Sequence, residues 1–343
     1  MVFLHERLTS ANIAGFYIEA NSGVEATLGQ KLFPLSKQIG ATLDMVKGGY
    51  GRPVILRASA FDAKSTLRDR PEVEITTAKM PFFKETLPVK EEDIIQINNL
   101  SGNQKLQESV LQRAFKDDVE LINAAKVRLE AMAMEVLATG KIGVKSNGVA
   151  RDFDYGVDDD QKSNVAVAWT DPTANPLADL EKAIEAATER GYTPEVIYLN
   201  NTTFNALKNN PNTIAVYDGA NKKQMSAGKF KEWLAEEQGL LEVVVINNTY
   251  IDETGVSRKY FPDNQVTLAP NVILGEMVLA MTPEESDLMA GNAANVTVVE
   301  QGIAVTTTKQ TDPVNVLTKV SMVALPSFSN LNAVYMLTTT PVV

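Results

Sequence analysis

Between Gln104 and Thr139 the chain runs for 36 residues without a glycine or a proline. At the usual helical rise such a stretch makes a rod about 54 Å long, where an ordinary helix has about 11–12 residues. Ser101 stands where an N-cap would, with Gln104 three residues on in capping-box spacing. Gly140 follows as a left-handed stop. The helical period gathers Leu111, Phe115, Val119, Ile122, Leu129, Met132, Val136 and Leu137 on one broad apolar face. Asp117, Asp118, Glu120, Lys126 and Arg128 are assigned to the polar remainder. A helix of this kind is too apolar to stand free and too charged to be buried all round, so it is expected to lie across a sheet or subdomain as a strut.

Immediately before the rod, residues 52–90 alternate in strand fashion and carry charge along most of their length. A first strand is expected over 40–46, ended by Gly48-Gly49-Tyr50-Gly51. Val54-Ile55-Leu56 begins a second, Arg68-Asp69-Arg70-Pro71 punctuates it, and Glu72-Val73-Glu74-Ile75-Thr76 returns. A ribbon like this is marginal in isolation, so its outward residues need a partner surface. Lys+Arg 32 against Asp+Glu 43 makes the whole chain −11. Residues 52–85 reverse that sign, with seven basic side chains (Arg52, Arg57, Lys64, Arg68, Arg70, Lys79, Lys84) against five acidic ones (Asp62, Asp69, Glu72, Glu74, Glu85). A locally positive arm on a negative molecule suits docking onto an acidic surface of a second copy. Arg57, Lys64, Arg68, Arg70, Glu72, Glu74 and Lys79 are the candidate intersubunit contacts.

Composition removes several classes of chemistry. Cysteine is absent, and with it disulfides, thiolate nucleophiles and cysteine metal sites. Histidine occurs once, at His5, which deprives the chain of its usual general base and commonest metal ligand. The acidic balance disfavours sequence-specific binding to a phosphate backbone. No apolar run approaches the roughly 18 residues of a membrane helix. Met1 to Arg7 lacks a basic segment followed by an apolar one, so a protein that stays in a cytosol is expected. At 343 residues, two or three subdomains are expected.

Residues 1–40 show no steady period and read as an N-terminal arm with one short helix. After the rod, Asn147-Gly148 marks a hairpin turn, and Val165-Ala166-Val167-Ala168-Trp169 reads as a strand. Residues 170–285 alternate helix and strand: Pro176 to Arg190 closed by Gly191, a buried strand Glu195 to Leu199, and a short helix Thr202 to Asn209. A helix Ser226 to Glu237, a buried strand Leu241 to Ile246, and strands Val266 to Leu268 and Val272 to Leu274 complete a compact α/β block. Residues 296–340 are again β-rich, with Pro313 and Pro326 as edge or turn markers.

The motifs that could carry chemistry fail on spacing. Asp152, Asp154, Asp158, Asp159 and Asp160 form the densest acidic cluster, but a calcium loop counted from Asp152 would put Gly156 at a ligand slot and Val157 at the glycine slot. A solvated hairpin is expected there. Gly48-Gly49-Tyr50-Gly51 lacks the Gly-Lys-Ser/Thr ending of a phosphate loop, which leaves a hinge. Asn200-Asn201-Thr202-Thr203 follows a buried strand where α/β proteins bind ligands; Asn201 or Thr202 capping the next helix explains it as well. Glu284-Glu285-Ser286-Asp287 after Pro283 is the charged first turn of a helix, with no partner base discernible for acid–base work.

Four segments resemble a known family. They are Gly51-Arg52-Pro53-Val54, Phe82-Phe83-Lys84-Glu85-Thr86-Leu87-Pro88-Val89-Lys90, Ala168-Trp169-Thr170-Asp171-Pro172-Thr173-Ala174-Asn175-Pro176-Leu177-Ala178-Asp179-Leu180, and Val272-Ile273-Leu274-Gly275 followed by Thr282-Pro283-Glu284-Glu285. Together with the order of parts, they are similar to the lambda-type capsid protein E family of phage major capsid proteins. The resemblance spans nearly the whole chain, and the Trp169–Leu180 stretch is its most specific piece. It implies an α+β, HK97-like capsid fold: an N-terminal arm 1–40, an extended loop with its base 41–90, and a peripheral domain 91–169 with the spine helix 104–139. An axial α/β domain 170–285 and a return to the peripheral domain over 286–343 follow.

The function so implied is a non-enzymatic shell subunit of a tailed double-stranded DNA phage, forming hexamers and pentamers in the host bacterial cytoplasm. Its expected partners are further copies of itself, a separate scaffold protein (the extended loop begins too near the N-terminus for a fused one), a portal and a decoration protein. Packaged DNA would be contacted non-specifically, since sticky walls hinder packing. No membrane, cofactor, metal or covalent crosslink is implied. Two alternatives stand beside this: an encapsulin-like cellular compartment, and a cytosolic α/β enzyme or binding protein using the Asn200–Thr203 corner.

Overall fold

In the computed structural model the described residues are 8–47, 74–89, 91–92, 94–95, 104–146, 148–218, 225–237, 239–289, 291, 295–312 and 314–341. Ser101, Gly48 to Gly51, Val54 to Leu56 and Pro313, on which expectations were placed, lie outside them. The chain divides into two compact units: Met1–Leu43, Thr77–Ala133 and Gly275–Ser327 form one, and Asp44–Thr76, Met134–Leu274 and Phe328–Val343 the other.

The first unit is organised by strand Val314–Ser327, whose 14 residues are long enough to serve several neighbours. Ile303–Thr311 pairs antiparallel along one edge, from Ala304 opposite Ser321 to Thr311 opposite Val314. The other edge is shared. Phe82–Val89 takes its first part, Val89 opposite Val316, and Glu276–Ala280 takes its end, Glu276 opposite Ser327. Leu35–Gln38 adds in parallel to Glu276–Ala280, and Asn295–Val299 closes the far side. Strand alternation then sends Val316, Thr318 and Val320 to one face, all buried. Val316 packs there with Leu8, Val89, Ile94, Ala114 and Phe115. Helix Ser10–Ala20, opened by Thr9 accepting the Asn12 N–H, buries Ile13, Ala14 and Tyr17. Its Ser10 hydroxyl donates to Asn295 Oδ1 at 2.7 Å.

The glycine-free stretch is one α-helix, Gln104–Thr139. Its face is set by period, as expected, with Val119, Ile122, Leu129, Met132, Val136 and Leu137 buried; the side chain of Leu111 lies outside the described residues. Asp118 departs from the expected polar face and is 1% exposed. The helix stops at Gly140, whose φ of 66° is left-handed and whose N–H donates to Val136 O at 2.8 Å.

The second unit holds a five-stranded mixed sheet in the order Lys162–Asn164, Tyr335–Thr338, Gln265–Ala269, Val196–Asn200, Glu242–Ile246. One face carries Ile197, Leu199, Val243, Val266, Leu268 and Leu337 into a core shared with helices Pro176–Glu189, Asn201–Asn209 and Ala227–Glu236. On the opposite face the buried Thr267 hydroxyl donates to Leu137 O at 2.9 Å, satisfying a carbonyl of the long helix's last turn. Lys141–Ser146 and Val149–Asp154 form the expected hairpin, with Ser146 opposite Val149 and Gly148 at φ 77°.

Three expectations need correction. Residues 165–169 are not a strand: Val165 and Trp169 donate to Thr338 and Thr339 carbonyls, but Asp171 N–H turns back to Ala168 O and ends the run. Residues 272–274 are not a strand either. Val272 N–H closes a tight turn on Pro270 O, which leaves Val272 and Ile273 exposed, and the strand starts at Glu276. Among its described residues the N-terminal arm contains two helices, Ser10–Ala20 and Leu28–Leu32, and the strand Leu35–Gln38. A further helix, Pro211–Asp218, has no counterpart in the sequence reading.

Candidate assembly surface

Two described strands flank the basic segment. Thr42–Lys47 and Glu74–Lys79 pair as a two-stranded ribbon with no third strand among the described residues. Where the strands leave the first unit, Gln38 Nε2 donates to Gly40 O at 2.6 Å and Thr42 O at 2.8 Å, and Met80 N–H donates to Ala41 O at 2.9 Å. Met80 is buried, which anchors the return strand by apolar contact as well. Just beyond, the Arg128 guanidinium stands 5.4 Å from the Phe83 ring centre, a cation–π contact between long helix and strand. Of the predicted contact residues, the structure places Glu74 and Lys79 on the return strand, with Lys79 exposed. Arg57, Lys64, Arg68, Arg70 and Glu72, and the side chain of Glu74, lie outside the described residues.

The segment singled out as most specific, Trp169 to Leu180, is a buckled turn in the second unit. The Trp169 indole is 1% exposed and its N–H donates to Asp179 Oδ2 at 3.0 Å. Asp171 Oδ1 accepts both the Thr173 N–H and hydroxyl, making an Asx turn. Asn175 caps Pro176–Glu189, with Pro176 in the first turn. Two residues from a distant stretch lock it: Asn210 Nδ2 donates to Trp169 O and Asp171 O, and Asn212 Nδ2 to Pro172 O and Ala174 O. The sequence reading missed both asparagines. The run Asn209-Asn210-Pro211-Asn212 signals a turn, but nothing in it signals partners some 40 residues away.

The remaining candidates are structural. Asp158 to Asp160 are neutralised by Arg190, which pairs with Asp160 and reaches Asp158 at 4.0 Å, and by Lys162, 2.8 Å from Asp159. Lys141 pairs with Asp154 at 2.7 Å, and together with the Gly156 N–H it holds that carboxyl below its ordinary range. Asn200, rather than Asn201 or Thr202, caps the following helix by accepting the Thr203 N–H at 2.9 Å. Its amide donates to Phe261 O and Asp263 Oδ1, so the corner is filled by the chain's own groups. Glu285 takes two hydrogen bonds of 2.7 Å from Lys37 Nζ and accepts the Thr282 N–H, while Glu284 pairs with Lys319 and Ser321. Each carboxylate has a cation, as a fold-stabilising group would. Among the described residues no group of three or more His, Cys, Asp or Glu side chains is placed to hold a metal ion, and no helix is long and apolar enough to cross a membrane.

Ribbon, long helix and buckled turn therefore coexist in one chain, and comparison with known proteins gives that combination a name. Residues 16–339 match the family Phage major capsid protein E. The chain belongs to this family. The capsid protein shares its HK97-like α+β fold with solved structures of low sequence identity. One is a capsid protein of a prophage of Escherichia coli CFT073, at 14% identity and TM-score 0.59, covering 96% of this chain and 99% of that one. A second is a phage-related protein of Bordetella bronchiseptica RB50, at 14% identity and TM-score 0.55, covering 95% and 96%. A third is the capsid asymmetric unit of cyanophage A-1(L), at 12% identity and TM-score 0.52, covering 91% and 92%. Among curated proteins none matches. The capsid protein is thus a structural protein of a phage shell, and the encapsulin-like alternative is not favoured over that function.

Proposed function

We propose that the capsid protein assembles with copies of itself into the hexamers and pentamers of an icosahedral head enclosing a double-stranded DNA genome, without catalysis or cofactor. The carrying observation is the two-stranded ribbon, which leaves an anchored base yet has no third strand among the described residues to cover it. Its connecting residues 48–73 hold Arg52, Arg57, Lys64, Arg68 and Arg70 on a chain of net charge −11. A segment of opposite sign to its own molecule, joined to a two-stranded ribbon, gains most by lying on another copy. In this reading residues 50–88 lie over the neighbouring subunit, 104–139 cross a peripheral domain completed by 286–343, and 170–285 surround each capsomer axis. A separate scaffold, a portal and a decoration protein are the further partners, in the cytoplasm of a bacterial host.

Electron microscopy of the chain expressed with its scaffold tests the proposal. Closed shells are expected. Persistent monomers under all assembly conditions, or a ribbon packed back on its own subunit, overturn it.

A further inference from the structure

The long helix meets the first unit's sheet through a carboxylic acid. Asp118 lies midway along Gln104–Thr139, is 1% exposed, and is flanked on its own helix by the buried Val119 and Ile122. Opposite it on the central strand is Thr318, itself fully buried. Among the described residues Asp118 Oδ2 and Thr318 Oγ1 make no well-formed hydrogen bond, although the Thr318 hydroxyl stands close enough to act on the carboxyl. A buried carboxylate is tolerated where a cation or several N–H groups hold it; among the described residues this site offers neither. The charged group acting on it from its own helix is Asp117, of like sign. On the strands beneath, the residues sharing Thr318's face include Val316, Val320, Thr307 and Leu87, all uncharged. Farther along that face, Lys309 and Glu85 are exposed. Lys319 points to the opposite face, where it pairs with Glu284. His5, Glu6 and Arg7 lie outside the described residues.

We propose that Asp118 is a proton-controlled latch: protonated, it lets the middle of the long helix seat on strand Val314–Ser327, and ionised, it drives that segment of the helix away from the sheet. The protonated acid can donate to Thr318 Oγ1 and satisfy both groups without charge, whereas the carboxylate has the Thr318 hydroxyl as its one neutral donor among the described residues and leaves an uncompensated charge between two apolar surfaces. Burial, reinforced by Asp117 and opposed by the Thr318 hydroxyl, pushes the Asp118 carboxyl up to about 7, so the latch works near neutrality. The inference concerns the single subunit and stands whether or not the shell is built as proposed above.

Hydrogen exchange of the full chain, corrected for intrinsic rates and followed from pH 5.5 to 8.5, reads the latch directly. For amides of residues 112–125 the opening equilibrium is expected to rise by up to about tenfold per pH unit as pH climbs toward the midpoint, the limit for one linked proton, and to level off above it, where open and closed forms are both ionised. Asp118→Asn, of the same shape and without charge, should abolish that pH dependence. A flat wild-type profile, or an unchanged slope in Asp118→Asn, overturns the proposal. If the variant does not fold, the carboxyl ¹³C shift of Asp118 in the wild type decides: a midpoint within about a unit of 7 supports the latch, and an ordinary carboxylate midpoint near 4 overturns it.

Discussion

The indole N–H of Trp169 donates to Asp179 Oδ2 at 3.0 Å, bridging the turn that leads into helix Pro176–Glu189. The pair satisfies a buried donor and places an acid in the first turn of a helix, where the peptide dipoles favour it. Asp179→Ala leaves the indole N–H unmet in a site 1% exposed and is expected to cost about 1–3 kcal/mol. Urea denaturation followed by tryptophan fluorescence measures it.

Gly140 ends the long helix at a left-handed φ of 66°, and a Cβ there would collide with the Val157 side chain. Gly140→Ala therefore combines backbone strain with overpacking, together about 2–4 kcal/mol. In a Val157→Ala background the steric part should vanish and about 1–2 kcal/mol remain. Equal costs in both backgrounds would show that the space is not limiting.

Lys37 gives Glu285 two hydrogen bonds of 2.7 Å, and the Glu285 side chain is only 8% exposed. Lys37→Met keeps most of the stem and strands the carboxylate, at an expected cost of about 1–3 kcal/mol after allowance for the partly exposed lysine. The same change at Lys162, whose pair with Asp159 is in solvent, should cost nothing measurable. Denaturation midpoints of the two variants make the comparison.

Because the Asp118 carboxyl is raised from 3.8 to about 7, its protonated form is favoured by folding. The resulting stability is complete below the ordinary carboxylate range and is lost as pH rises through about 7. Wild-type stability should thus fall between pH 4 and 8 by on the order of 4 kcal/mol relative to Asp118→Asn. Denaturant titrations at each pH give both curves.

If the arm lies on a neighbouring subunit, Arg68→Glu combined with Arg70→Glu should leave the isolated subunit's denaturation midpoint nearly unchanged, since charges of an intersubunit contact contribute little within one chain. Particle yield by electron microscopy should fall sharply, because a defect at one contact recurs in every copy of a shell. Normal yield would remove the arm from the assembly contact.

Much of this fold is legible locally. The long helix, its glycine stop, the Asn147-Gly148 hairpin, and the alternating helices and strands of 176–246 follow from propensity, period and turn chemistry at neighbouring positions. The failures also have local causes. Val272 and Ile273 look like a strand by composition, yet Pro270 and the turn after it forbid pairing. Asp118 looks like a surface residue because a charge is normally cheapest in water. The arm is legible as a charge pattern, with Glu74 and Lys79 placed on a paired strand, while the asparagine locks behind Trp169 carry no signature at all.

By itself the sequence determined where backbone must be helical, where it must turn, and which segment carries the opposite charge, because these depend on residues within a few positions of one another. Only the tertiary structure decided that Leu35–Gln38 pairs with Glu276–Ala280, that Asn210 and Asn212 buckle the Trp169 turn, and that Asp118 faces Thr318 in the dark of a helix–sheet seam. Those relationships join residues up to some 240 positions apart. They arise when whole elements are packed to bury their apolar faces, and a polar group's final partner is whatever that packing brings opposite it.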